Sequence, residues 1–244
     1  MVRTLLLLLW ILLVLFLTGP PLLLFSALTG NSHSMYVMAR FTLRLACVLA
    51  GVRVRVRRHS ANEYGSPNER AADLSLDTTR NYIFMANHVS NVDPPVCFLL
   101  ISQDLKVIFK KELLGLPILA TALKMARCIP VDRRNREAAR LAIEQAAKQL
   151  QQGDSFLIFP EGTRSRDGSL GPFKSGGFVM SILSGVPVIP MTVRGTQRIQ
   201  PKGSWKLNSG EVEVIVHDPV RPPSSLDEKA GFLERVRTQI ESAL

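Results

Sequence analysis

The chain has 244 residues, 46% of them hydrophobic, with 30 Lys and Arg against 20 Asp and Glu and a formal net charge of +10. That length allows one large domain, or a domain with a membrane segment. Cys47, Cys97 and Cys128, an odd number without metal-ligand spacing, exclude a disulfide framework and make a reducing cytosolic setting the default.

The charge is uneven. Residues 1–60 hold seven Arg and no Asp or Glu, whereas 61–244 hold 23 basic and 20 acidic residues. Surface solubility alone would account for such an excess, but its position beside a greasy segment suggests a basic collar at an anionic membrane. The greasy segment runs from Leu5 to Leu17, is interrupted by Gly19-Pro20-Pro21, and resumes from Leu22 to Leu28. It fits a signal peptide, a single spanning helix, or a bent pair of helices in one leaflet with the bend at Pro20-Pro21 and a second helix over 35–50. No clean small-x-small cleavage site follows, and Arg40 to Arg58 suits an exported chain poorly. A span of about 20 apolar residues is available only across the proline pair. The expectation is a membrane-associated helical segment over 1–50 and a globular domain over 51–244. The positive-inside rule puts that domain on the cytoplasmic side.

Within the domain, Val52 to Arg57 alternates apolar and basic residues, the period of a half-buried strand. Residues 59–79 are polar and read as a loop. Tyr82 to Ala86 is a buried strand, and Asp93 before Pro94-Pro95 is a helix start with Asp93 as N-cap. Lys106 to Phe109 is a strand, Pro117 to Met125 a helix, and Cys128 to Val131 a strand. Asn135 caps a helix to about Gln152, with Ala139, Ala142, Ile143, Ala146 and Leu150 on one face. Ser155 to Phe159 and Val186 to Val193 are strands around a helix over Gly176 to Leu183. Glu211 to Val216 has the charge pattern of an edge strand. Ser225 to Glu228 opens a last helix to Ala243. Strands and helices alternate, which predicts an α/β fold with a mixed, mainly parallel sheet flanked by helices.

Four blocks carry chemistry. Asn87 to Pro94 lies between a strand end and a helix start, where α/β proteins place their sites. There His88 is a candidate base and Asp93 its orienter, or the pair is a structural His with a capping Asp. Phe159-Pro160-Glu161-Gly162-Thr163-Arg164-Ser165 follows a buried strand. Gly162 permits an unusual turn and Arg164 offers a planar fork to a phosphate. Lys174 before Gly176-Gly177 adds a cation at a helix start. Arg133, after Ile129 to Asp132, and Lys110 are further cationic candidates, each equally readable as surface charge. Val186 to Pro190 is apolar and rigid, as a core strand would be.

The order of these blocks resembles the glycerolipid acyltransferase family, and within it the 1-acylglycerol-3-phosphate acyltransferases. His88 and Asp93 match its His-x4-Asp motif, 159–165 match Phe-Pro-Glu-Gly-Thr-Arg-Ser residue for residue, and Ile129 to Arg133 and Val186 to Pro190 are similar to its arginine and proline blocks. Cys128 stands where the family often has Gly. The resemblance covers about residues 80–195. It implies that His88 is the general base and that Glu161, Gly162, Thr163 and Arg164, helped by Arg133, Lys110 and Lys174, bind a glycerol phosphate. It further implies acyl-CoA or acyl-carrier protein as co-substrate, a lysophospholipid acceptor, membrane lipids as surroundings, and no metal or other cofactor. Another lysolipid acceptor fits the motifs as well. A nucleic-acid partner fits poorly, because aromatics are only 7% and the Arg excess hugs the apolar segment. A serine hydrolase is disfavoured by the lack of a Gly-x-Ser-x-Gly elbow.

Overall fold

The computed structural model describes residues 2–60, 63–64, 77, 79–132, 134–165, 167–201 and 203–244. Much of the loop expected over 59–79, and the candidate Arg133, lie outside the described residues.

The sheet is organised around β3 (Ile83–Ala86), whose four residues are all buried. Successive side chains of a strand point to opposite faces, so a continuous apolar run means that both faces are covered. Phe84 and Ala86 join a core with Val96, Cys97 and Leu100 of α4 (Asp93–Leu100). Ile83 and Met85 join a second core on the other face. That core takes Ala146 and Leu150 from α6 (Arg136–Gln151), Phe178 from α7 (Gly176–Ser184), and Phe232 and Val236 from α9 (Lys229–Glu241). The result is three layers. Asn135 starts α6 as expected, its side chain accepting from the backbone N–H of Glu137 and Ala138.

Among the described residues, eight strands make one mixed sheet in the order β2-β1-β8-β7-β3-β6-β4-β5. β4 (Leu105–Lys110), β5 (Ile129–Val131), β6 (Ser155–Ile158) and β7 (Val188–Arg194) join β3 in a parallel block. β8 (Gly210–His217) runs antiparallel to β7 and parallel to β1 (Val52–Ser60). β2 (Glu63–Tyr64) pairs antiparallel with β1. β8 is therefore interior and not the edge its charges suggested. Those charges meet partners on β1: Arg55 pairs with Glu211 at 3.1 Å and Arg57 with Glu213 at 2.9 Å. Arg58 reaches Asp218 at 3.3 Å. Part of the predicted basic collar is thus a cross-strand ladder, with partners too distant in sequence for a local charge count to reveal.

The N-terminal helices are α1 (Val2–Leu13), a π-helical stretch Val14–Thr18, α2 (Gly19–Thr29) and α3 (His33–Ala50). Pro20 and Pro21 do not make the expected bend. They stand where the π-helical stretch Val14–Thr18 joins α1 to α2 with the backbone helical throughout, and the chain reverses at Gly30, whose φ is 66°. Among the described residues no helix is long and apolar enough to cross a membrane. α3 is fixed to the sheet: the Tyr36 hydroxyl donates to the Leu105 carbonyl at 3.0 Å, and Arg40 pairs with Asp104 at 3.2 Å. Trp10 of α1 donates to the Thr42 carbonyl of α3 at 3.3 Å. The outer faces remain apolar and exposed, with Leu5, Leu9, Leu12, Phe16, Leu24, Phe25 and Leu28 on α1, α2 and the stretch between, and Phe41 and Val48 on α3.

Candidate active site

All strands of the parallel block end on the same edge of the sheet, and the motif residues lie in the loops that follow. β3 ends at Ala86, and the buried Asn87 extends its pairing with β7 by side chain. Its amide donates to the Val193 carbonyl at 2.9 Å and its oxygen accepts the Val193 N–H at 2.7 Å. The chain then turns through His88 to Val92 into α4.

Asp93 is the first residue of α4 rather than a side-chain cap, and it is fully buried. Its carboxylate turns back over the preceding loop. One oxygen, Oδ2, accepts the backbone N–H groups of Val89 and Ser90, each at 2.7 Å, and lies 2.8 Å from His88 Nδ1. The His88–Asp93 pair that the spacing alone left open is thus formed. An ionised carboxylate only accepts, so Nδ1 carries the proton and Nε2 is the basic nitrogen. Phe159 lies against the imidazole, with ring centroids 4.4 Å apart at 30°. Together Asp93 and Phe159 restrict the imidazole in two directions.

β6 delivers the second block. Glu161 is buried, and both of its oxygens are engaged by backbone: Oε1 accepts the N–H of His88 at 2.7 Å, and Oε2 accepts that of Gly171 at 2.9 Å. The resemblance gives Glu161 a part in binding glycerol phosphate; here its carboxylate takes these two backbone contacts. A carboxylate held this way braces the loop beneath His88. The Ser165 N–H donates to the His88 carbonyl at 2.7 Å, a second tie between the two motifs.

Gly162 has φ +71°, a left-handed conformation that side chains resist. The space a Cβ would take there is occupied by Lys174, whose Cδ, Cε and Nζ would each lie 2.9 Å from it. The Lys174 N–H donates to the Pro160 carbonyl at 2.8 Å. The sequence-remote Lys174 is therefore folded onto the Glu161–Arg164 turn. Thr163 is exposed in the same turn, and Arg164, half-buried, follows it.

Lys110 lies at the end of β4, two strands from β3, largely exposed and 3.4 Å from Glu112. Its neighbour Lys111 grips Asp132 at 2.6 Å. Both mark the β4–β5 flank of the sheet edge that carries His88. Burial pushes the thiols of Cys97 and Cys128 above the usual cysteine range, which suppresses thiolate nucleophilicity. Among the described residues no group of three or more His, Cys, Asp or Glu side chains is arranged to hold a metal ion.

Sequence reasoning missed Thr196. It lies in the short helix α8 (Thr196–Ile199) after β7, and its hydroxyl donates to Asp93 Oδ1 at 2.5 Å. A threonine 103 positions away carries no local signal for such a contact.

The chain belongs to the acyltransferase family, whose model, described as Acyltransferase, matches residues 61–194. It is 30% identical over 212 residues to a 1-acyl-sn-glycerol-3-phosphate acyltransferase of Borreliella burgdorferi, covering 86% of this chain and 78% of that one. A chloroplastic 1-acyl-sn-glycerol-3-phosphate acyltransferase of Brassica napus is 37% identical over 139 residues; the match spans 57% of this chain and 40% of the plant protein. The crystal structure of the 1-acyl-sn-glycerophosphate acyltransferase from Thermotoga maritima superimposes with a TM-score of 0.79 at 26% identity, covering 99% of this chain and 95% of that one.

Proposed function

We propose that this chain transfers a fatty acyl group from a thioester, acyl-CoA or acyl-carrier protein, to the free hydroxyl of 1-acylglycerol-3-phosphate, giving phosphatidic acid. The observation that carries this reading is the 2.8 Å contact of His88 Nδ1 with the buried Asp93 at the sheet edge shared with the Lys174-lined turn. The names of the relatives above support the choice of acceptor.

In this reading the acceptor hydroxyl oxygen attacks the thioester carbonyl as its proton passes to His88 Nε2. The tetrahedral intermediate collapses by breaking the C–S bond. The leaving thiolate takes the proton back from His88, so the imidazole is neutral again after one turnover. The new bond is the ester C–O bond, and no acyl-enzyme forms. Asp93 holds the tautomer and balances the transient imidazolium. Arg164 and Lys174 receive the acceptor's phosphate as charge-assisted partners. The apolar outer faces of α1 to α3 lie in one leaflet of a membrane, since exposed apolar area of this extent marks a binding surface. The domain then faces the cytoplasm.

The test is an acyl-transfer assay with both donors and a panel of acceptors, 1-acylglycerol-3-phosphate, lysophosphatidylcholine and an acylated amino acid, on the wild type and His88→Ala. Selective use of 1-acylglycerol-3-phosphate and loss of transfer in His88→Ala are expected. Preference for an acceptor without a terminal phosphate would overturn the acceptor assignment, and full activity of His88→Ala would overturn the chemistry.

A further inference from the structure

We propose that Thr196 is a positioning residue for the reaction: its hydroxyl fixes the rotation of the Asp93 carboxylate and, through it, the imidazole of His88. The inference rests on the dyad chemistry proposed above and deepens it.

Asp93 gives its two oxygens different work. Oδ2 takes His88 Nδ1 and the N–H groups of Val89 and Ser90, all from its own loop. Those three contacts converge on one atom, so alone they leave the carboxylate able to turn about that atom. Oδ1 is tied to another part of the fold, the Thr196 hydroxyl on the far side of β7. Two oxygens held from two elements define a plane, and the plane sets the direction of the imidazole N–H bond. Both residues are fully buried, so water does not substitute readily for the hydroxyl.

The segment carrying Thr196 is built for this register. Gly195 has φ +89°, and a Cβ there would meet the Glu211 carbonyl oxygen at 2.4 Å, so the turn that aims Thr196 inward accepts only glycine. Residues 193–200 grip the catalytic loop at three places spaced three residues apart. Asn87 exchanges two hydrogen bonds with Val193, Ser90 Oγ donates to the Gln200 carbonyl at 2.9 Å, and Asp93 receives Thr196. Thr196 is also β-branched, with few side-chain rotamers, which suits a fixed donor direction.

The experiment compares wild type, Thr196→Val, Thr196→Ser, His88→Ala and Asp93→Asn in membranes, reading folded yield by thermal unfolding together with kcat and KM for both substrates. Valine keeps the shape and removes the donor. Loss of one hydrogen bond to a charged group predicts a roughly 10–100-fold fall in kcat with both KM values unchanged. Serine should restore most of the rate. In the Asp93→Asn background Thr196→Val should add little, because the two act as a unit. Wild-type kcat in Thr196→Val, a serine variant as slow as valine, or full additivity with Asp93→Asn would each overturn the inference. If Thr196→Val does not accumulate folded, Thr196→Ala is judged by the same criteria. An active His88→Ala would instead overturn the proposed function; an inactive His88→Ala beside a normal Thr196→Val would overturn only the role of Thr196.

Discussion

Glu161 accepts the backbone N–H of His88 at 2.7 Å, so a carboxylate in one motif supports the base in another from beneath. Its second oxygen accepts from Gly171, whose carbonyl in turn receives Arg237 of α9 at 2.7 Å. The position of His88 is therefore set by a chain of contacts reaching the C-terminal helix. Glu161→Gln leaves one oxygen for two N–H donors and points an amide at the other. A hydrogen bond to a charged group is worth about 1.5–3 kcal/mol. For a chain of this size that corresponds to a fall in melting temperature of roughly 3–10 °C. The expected kinetic signature is a lower kcat with every acceptor alike, measured beside the melting curve.

Replacing His88 by Ala is expected to lower kcat by about 10²–10⁴ while the protein stays folded, because the general base is removed. Asp93→Asn should fall in the same range, since the amide can offer a donor to Nδ1 and invert the tautomer. Acyl transfer from labelled donor, with unfolding curves as the control, checks both.

Arg164→Ala is expected to lower kcat/KM for 1-acylglycerol-3-phosphate roughly 10–100-fold, the equivalent of one charge-assisted contact. Arg164→Lys should recover only part, since it loses the planar fork. The donor KM should barely move. A rise confined to the donor KM would assign the arginine to the thioester side instead.

His217 supplies a pH dependence of stability. It is buried on β8, and burial, reinforced by the neighbouring His59, holds its pKa down to about 4 from an ordinary 6.5. The Thr192 hydroxyl donates to the Ile240 carbonyl at 2.8 Å, so it accepts from His217 Nε2 at 2.8 Å and the ring is neutral. The unfolded chain binds a proton below about pH 6.5 that the folded chain refuses until about pH 4. Stability is therefore complete at neutral pH and falls as the pH drops through that window, by about 2 kcal/mol between pH 7 and 5. Urea unfolding at the two pH values should show this difference in the wild type and a much smaller one in His217→Gln.

The apolar faces of the first helices should hold the protein on anionic vesicles in a flotation assay, and high salt should not release it, because apolar burial is not screened. Leu9→Ser, Phe16→Ser and Phe25→Ser, all at exposed positions, should each weaken partitioning roughly tenfold without lowering the melting temperature. Release by salt alone would assign the attachment to charge.

The elements were legible where the signal is local. The Asn135 cap and the continuous apolar run of β3 each act within a few residues, and the helix and strand fall where those signals put them. The His88–Asp93 pair was legible as a spacing, but its contact required a turn that spacing does not specify. What was not legible is long-range. Thr196 on Asp93 and the arginines of β1 against the acids of β8 join residues brought together only by the sheet order. The reversal at Gly30 rather than at Pro20-Pro21 has a different cause: the backbone stays helical through the prolines, and only the left-handed glycine turns the chain back.

The parallel pairing of β1 with β8, which sets Val52 opposite Gly210, also orders events in time. A ribosome adding about 5–20 residues each second needs on the order of 10–30 s to deliver the second strand after the first. Throughout that interval β1 has no acids opposite it, and its arginines and the apolar helices before it are presented together. Only when β8 arrives do its glutamates draw Arg55 and Arg57 into the ladder, so the charge that β1 exposes is cancelled after most of the chain has been made.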